Sequence, residues 1–159
     1  NQFQAAFDPG YGPGVRTQQS FERVMAQAGL TGDTYRCDAL PQAGYEAFNY
    51  LLKECPDLTA LVTVNERAVP GVMRAIADRD WHIPDDFSLI VVASSARVAE
   101  TAIPPFTTSD APAAELGRLG AELLIQQLEA QEQSTLNTLL PCRLVVRGSS
   151  GPCQRDDGH

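Results

Sequence analysis

Short apolar runs alternate along the chain with longer stretches in which apolar positions recur every three or four residues. Phe3 to Phe7 is the first run. It gives way to Asp8-Pro9-Gly10-Tyr11-Gly12-Pro13-Gly14, a series of turn formers that predicts loop, neither helix nor central strand. From Val15 the period changes. Phe21, Val24, Met25 and Ala28 fall at i, i+3, i+4 and i+7, which predicts a helix stopped by Gly29. Thr34 to Asp38 is a candidate strand. Gln42 to Cys55 predicts a second helix, with Ala43, Ala47, Phe48, Leu51 and Leu52 on one side and Pro56 ending it. Leu58 to Val64 is nearly all apolar and β-branched, the pattern of a strand buried on both faces. Glu66 to Arg79 predicts a third helix with Val69, Val72, Met73 and Ile76 as its stripe. Pro70 falls in its first turn, where a missing N–H costs least, and Asp80 stands where a left-handed cap would close it.

Phe87 to Ala93 is a further apolar strand, and Ser94 to Thr101 is a loop or short helix. The segment Ile103 to Thr108 is extended, because proline biases its predecessor away from helix. Pro112 opens a fourth helix striped by Leu116, Leu119, Leu123, Leu124 and Leu128. Cys142 to Arg147 is a closing strand, and Gly148 to His159 reads as a frayed tail. The alternation predicts βαβ units, hence an α/β fold with a mainly parallel sheet flanked by helices on both faces. Ligands of such sheets bind outside the C-terminal ends of the strands, so a site is expected in the loops after residues 7, 38, 64 and 93.

Composition narrows the function. The 159 residues, 43% hydrophobic and 20% charged, make one domain's worth of chain with enough core to need no metal or disulfide. The net charge of -8 and the absence of a basic run argue that these residues do not themselves touch DNA. Cys37, Cys55, Cys142 and Cys153 form no CxxC pair and only two histidines occur, so no metal site is expected. The thiols read as reduced, in a cytoplasmic protein, with one disulfide as the alternative. No apolar run approaches the roughly 20 residues that span a bilayer, and no signal peptide opens the chain. Asn1 leads straight into an apolar segment, as if cut from a longer chain.

No catalytic set assembles. Gly148-Ser149-Ser150-Gly151 lacks the spacing and the strand-to-helix context of a nucleophile elbow. Gly10-Tyr11-Gly12-Pro13-Gly14 lacks the order of a phosphate-binding loop, and Pro13 removes a donor such a loop would use. His82 reads as a loop histidine. Asp85 and Asp86 are adjacent and point apart, which suits a cap or a solvated turn better than acid–base work.

A family resemblance emerges from several segments in order. Thr59-Ala60-Leu61-Val62-Thr63-Val64-Asn65-Glu66 resembles the LacI-type strand that ends in Asn-Asp before a helix, and Gly71 to Ile76 resembles that helix. Ile83-Pro84-Asp85-Asp86-Phe87-Ser88-Leu89-Ile90-Val91-Val92 is similar to the family's "VPDDVSVVG" segment. Ile103-Pro104-Pro105-Phe106-Thr107-Thr108 is similar to its "PPLTT" crossover, Ala114 to Leu124 to the next helix, and Leu140 to Arg147 to the closing "LPPRLVVR" strand. The match runs over about residues 15 to 152.

The resemblance implies a two-lobed, periplasmic-binding-protein-like (type I) effector sensor of a LacI-type transcriptional regulator, not an enzyme. Residues 1–108 would form its C-terminal lobe, 109–141 the return through the N-terminal lobe, 142–152 the closing strand and 153–159 a tail. Thr107 to Asp110 and Leu139 to Arg143 would be the crossings between lobes. The helix-turn-helix and the first half of the sensor would lie outside this chain, so DNA would be reached only through them. A homodimer is implied, with contacts about Val69 to Arg79 and Ala96 to Ile103, and neither cofactor, metal nor membrane. A solute-binding protein of a transport system, which shares the fold, is the alternative.

By the same resemblance the ligand-binding candidates are Arg16, Thr17, Asn65 and Ser94. The family's cleft Arg falls on Thr17, with Arg16 one place off, and its Asp after the second apolar strand falls on Ser94. Its Gln falls on Ala111 and a stacking aromatic on Ala39. Asn65 is retained, and its partner Asp has become Glu66. Arg and Asp in a cleft would give charge-assisted hydrogen bonds, whereas Thr17 and Ser94 offer neutral hydroxyls. The effector is therefore expected to be sugar-like or a departure from the usual simple sugar. A purely structural role for Asn65, capping the helix that follows, is the competing expectation.

Overall fold

The computed structural model describes residues 3–5, 12–92, 94–130 and 138–152, with the main chain alone at 3–5, 12–14 and 130. Strand β1 (Phe3–Ala5) pairs in parallel with β2 (Tyr35–Cys37). A second ladder runs β3-β4-β5-β6. In it β3 (Ala60–Thr63), β4 (Ser88–Val92) and β5 (Thr107–Asp110) are parallel, and β6 (Arg143–Val145) returns antiparallel along β5. The helices between them are α1 (Gly12–Gln27), α2 (Pro41–Glu54), α3 (Val69–Ala77) after a 3-10 turn at Glu66–Ala68, α4 (Ala96–Thr101) and α5 (Ala113–Ala130). This is the α/β arrangement with a mainly parallel sheet that the alternating pattern predicts.

The core lies between β3 and β4 and the helix pair α2 and α3. Phe48 and Leu51 of α2, Val72 and Ile76 of α3, and Phe87, Leu89 and Val91 around β4 are all buried. Phe48 meets Phe87 edge-on with ring centroids 5.2 Å apart, and Trp81 stacks on the other side of Phe87 at 5.9 Å. At two points the main chains approach so closely that no Cβ fits between them. A Cβ on Gly71 would run into the Pro41 carbonyl oxygen, and one on Gly44 into that of Ala68. Asp80, three residues past the end of α3, takes the left-handed conformation expected of it, at φ 57.

Four sequence expectations are corrected. Gly12 to Gly14 are not loop but the first turn of α1; Pro13 there has the preset φ of a helix start and loses an N–H that would have no partner in the helix. The segment 66–79 is not one continuous helix: Asn65 caps a 3-10 turn first, and α3 stops at Ala77. The run Leu58 to Val64 is not buried on both faces. Leu61 and Thr63 are buried, whereas Val62 is 37% exposed, because only one face of β3 packs into the core with α2 and α3. Finally, Gly148 to Gly151 is not a frayed tail. Ser149 is fully buried and links two strands: its Oγ donates to the Leu89 carbonyl at 2.5 Å and accepts from Thr107 N–H at 2.8 Å, while its own carbonyl accepts from Leu89 N–H at 2.7 Å. Ser150 Oγ lies 2.8 Å from Thr107 Oγ1, and Gly151 N–H donates to Ser88 Oγ at 3.1 Å. The expected tail at 153–159 lies outside the described residues.

Helix α5 carries its leucines as predicted, but Leu116, Leu124, Ile125 and Leu128 are all more than half exposed. On the same helix Arg118 donates to Glu115 and Glu122, each at 2.5 Å, and the Glu115 carboxyl is held below its ordinary range by that hydrogen bond.

Two substitutions test this packing. Gly71→Ala forces the α2–α3 contact apart and should cost about 3 kcal/mol, read as a lowered denaturant midpoint; an unchanged midpoint would show the helices to be further apart than described. Ser149→Ala strands a buried carbonyl and a buried N–H and should cost about 2 kcal/mol, whereas the neighbouring, more exposed Gly148→Ala should change the same unfolding curve far less.

Candidate functional site

Parallel pairing brings the C-terminal ends of β3 and β4 level, with Thr63 opposite Val91. The loops leaving those ends, Asn65-Glu66 and Ser94-Ser95, therefore emerge side by side. Asn65 is extended (φ -145, ψ 130), and its Oδ1 accepts from Arg67 N–H at 2.8 Å, capping the 3-10 turn. The capping role expected for it is thus present, and its amide nitrogen is not part of that bond.

Glu66 closes the gap between the loops. Its Oε2 accepts from Ser94 Oγ and from Ser95 N–H, each at 2.9 Å. Ser95 in turn caps α4, its Oγ accepting from Val98 N–H at 3.3 Å. Of the four sequence candidates, Asn65 and Ser94 are brought together here. Arg16, exposed, and Thr17, half-buried, sit on α1, the helix that follows β1. Glu66 was missed as a site residue. Its signal was the departure from the Asn-Asp pair: one more methylene lets the carboxylate span the gap to the next loop.

A second polar cluster lies on β5. Arg147, little exposed, donates through Nη1 to the Phe106 carbonyl at 2.9 Å and to Thr108 Oγ1 at 2.7 Å. Thr108 Oγ1 donates to Asp110 Oδ1 at 2.5 Å, and Arg147 Nη2 lies 4.0 Å from Asp110 and 3.8 Å from Glu100 of α4. A cavity of about 310 Å³ lies at the opposite, N-terminal end of β3 and β4, between Leu58, Trp81, Pro84 and Phe87. It is on the wrong edge of the sheet to be the ligand site expected of this fold.

The other candidates carry no chemistry. His82 is exposed with Nδ1 3.4 Å from Asp86 Oδ2, and Asp86 accepts from His82 N–H at 2.7 Å, a turn-capping carboxylate. The Ser149 hydroxyl is committed to the main chain on both sides. Cys37, Cys55 and Cys142 are free thiols; Cys153 lies outside the described residues. Burial, and then the negative charge of Asp38, push the Cys37 thiol up to about 11, and the Asp33 carboxylate that accepts from Cys55 Sγ at 2.6 Å raises that thiol as well. Among the described residues no three His, Cys, Asp or Glu side chains gather as a metal-binding group, and no helix is long and apolar enough to cross a membrane.

Comparison with known proteins agrees with this geometry. The model of the periplasmic binding protein-like domain family matches residues 6–150. The chain is 26% identical over 139 residues to the HTH-type transcriptional regulator CelR of Thermobifida fusca, covering 86% of this chain and 41% of that protein. It is 26% identical over 135 residues to the HTH-type transcriptional repressor CytR of Escherichia coli, covering 83% of this chain and 39% of that protein. The chain thus spans about two fifths of the curated relatives it matches. Among solved structures, a LacI-family transcriptional regulatory protein from Corynebacterium glutamicum superposes with a TM-score of 0.74 at 26% identity, over 96% of this chain and 57% of that one. A CelR–cellobiose complex superposes with a TM-score of 0.79 at 24% identity, over 94% and 46%. The chain belongs to the periplasmic binding protein-like domain family, in the form that LacI-type transcriptional regulators carry as their effector-binding domain.

Proposed function

We propose that this chain supplies half of the effector cleft of a cytoplasmic, DNA-binding transcriptional regulator, with 1–108 as its C-terminal lobe, 109–141 as the return through the other lobe and 142–152 as the closing strand. The observation that carries the reading is the convergence of Asn65, Glu66 and Ser94 at the C-terminal edge of two parallel strands. Arg16 and Thr17 complete the candidate ligand set from α1. The effector is a small molecule of the saccharide class. Solved structures of similar fold are described as complexes with cellobiose, lactose and ribose, which supports that class. DNA is contacted by a region other than this acidic one, and the protein works as a homodimer.

The dimer contact is proposed about Val69 to Arg79 and Ala96 to Ile103, with α3 contributing its outer positions such as Pro70 and Arg74. Val69, Val72, Ala75 and Ile76 are core residues, whereas in the stretch 96–103 Val98 is 38% and Ile103 91% exposed, which favours that stretch as the apolar part of the contact.

Two measurements test the proposal. Titration calorimetry of the full-length gene product against cellobiose, lactose and ribose should find a ligand whose binding Asn65→Ser weakens by about tenfold while leaving the melting temperature near that of the wild type, since Ser keeps the cap and removes only the amide. Equal affinity in both proteins would make Asn65 a cap and nothing more. Ile103→Asp should shift the sedimentation profile from dimer toward monomer; an unaltered profile would move the interface elsewhere.

A further inference from the structure

We infer that Glu66 sets the specificity of the cleft, offering a carboxylate oxygen to the hydroxyls of a neutral polyol and turning away anionic ligands. The inference rests on the effector-cleft reading above and adds to it a residue and a ligand class. Oε2 of Glu66 takes two donors, Ser94 Oγ and Ser95 N–H, at 2.9 Å each. Among the described residues Oε1 accepts no hydrogen bond. Glu66 is half-buried and sits where the loops after β3 and β4 meet. An ionised carboxylate held from one side by fixed donors is an oriented acceptor on the other, and it can only accept.

Ser94 contributes to the same selection. With its proton directed at Glu66, its remaining lone pairs also accept. The neighbouring cation, Arg67, is exposed, and its main-chain N–H is engaged by Asn65. Apart from the Asn65 amide nitrogen and the Arg16 guanidinium of α1, this edge of the cleft therefore presents acceptors to a ligand that must bring donors. A sugar or polyol hydroxyl does so. A carboxylate or phosphate monoester brings none and places like charges together, which disfavours it. The cleft thereby gains from residue 66 the carboxylate that position 94 lacks, so the departure at Ser94 does not remove charge-assisted recognition from this site.

Glu66→Gln isolates the effect. The amide oxygen can replace Oε2 as acceptor for Ser94 and Ser95, so the loop stays tied, while the NH2 group replaces Oε1 and turns the acceptor into a donor. The experiment is calorimetry of the full-length gene product, wild type and E66Q, with three pairs of probes: ribose and ribose 5-phosphate, glucose and glucuronate, cellobiose and cellobionate. For the pair it recognises, the wild type should bind the neutral member at least about tenfold more tightly than the anionic one. E66Q should weaken the neutral member by about tenfold and tighten the anionic one. A loop-tying role alone would lower both affinities together. Wild type that takes the anionic member as well as the neutral one overturns the inference without reference to any variant. Binding that E66Q leaves unchanged, or lowers equally for both members, also overturns it while the cleft reading stands. Wild type that binds none of the six overturns both.

Discussion

The parallel register of β3 and β4 is the constraint from which the rest of the site follows. With Thr63 opposite Val91, the two strands end level and the main chain leaves both on the same edge. A shift of one residue would turn Leu61 and Leu89 out of the core and carry Glu66 out of reach of Ser94. Apolar packing holds the register: Leu61, Leu89 and Val91 face α2 and α3, where Gly44 and Gly71 let the helices close on each other. The candidate site is thus positioned by the core packing of the same strands.

Local signals in the chain account for most of the fold. Helix stripes, the apolar strands, the stop at Gly29 and the left-handed Asp80 each depend on residues within a few positions of one another, and these were all readable in advance. What was not readable joins distant positions. Ser149 finds its partners on Leu89 and Thr107, some 60 and 42 positions away, and nothing within Gly148-Ser149-Ser150-Gly151 distinguishes a polar tail from a polar staple. The candidate site shows the same division. Asn65 and Ser94 were placed by the family resemblance, in loops that the strand pattern also marked. The exchange of Asp for Glu66 was visible, but not its role in joining them, which depends on a loop 28 residues on.

A line of polar contacts runs from that edge toward β5. Glu66 holds Ser95, Ser95 caps α4, Glu100 near the end of α4 lies 3.8 Å from Arg147, and Arg147 donates to Thr108 beside Asp110. The short helix α4 is tied at both ends, tightly to Glu66 and loosely, through an exposed carboxylate, to Arg147. Exposed ion pairs contribute little, so the hydrogen bonds of Arg147 to the Phe106 carbonyl and Thr108 Oγ1 fix its position, and Glu100 follows. β5 and β6 meet at this cluster, Asp110 opposite Arg143.

The Ser149 staple has a bearing on how the molecule is made. Leu89 and Thr107 are translated long before the serine that satisfies their main-chain groups. Until residues 148–151 leave the ribosome, the seam at the start of β4 and β5 has unpaired amides and carbonyls open to water or to other chains. The α2–α3 layer, complete by Ala77, can form during that interval, and the β4–β5 seam closes only afterwards. Synthesis order therefore leaves the seam to be completed after the α2–α3 layer, once residues 148–151 have been made.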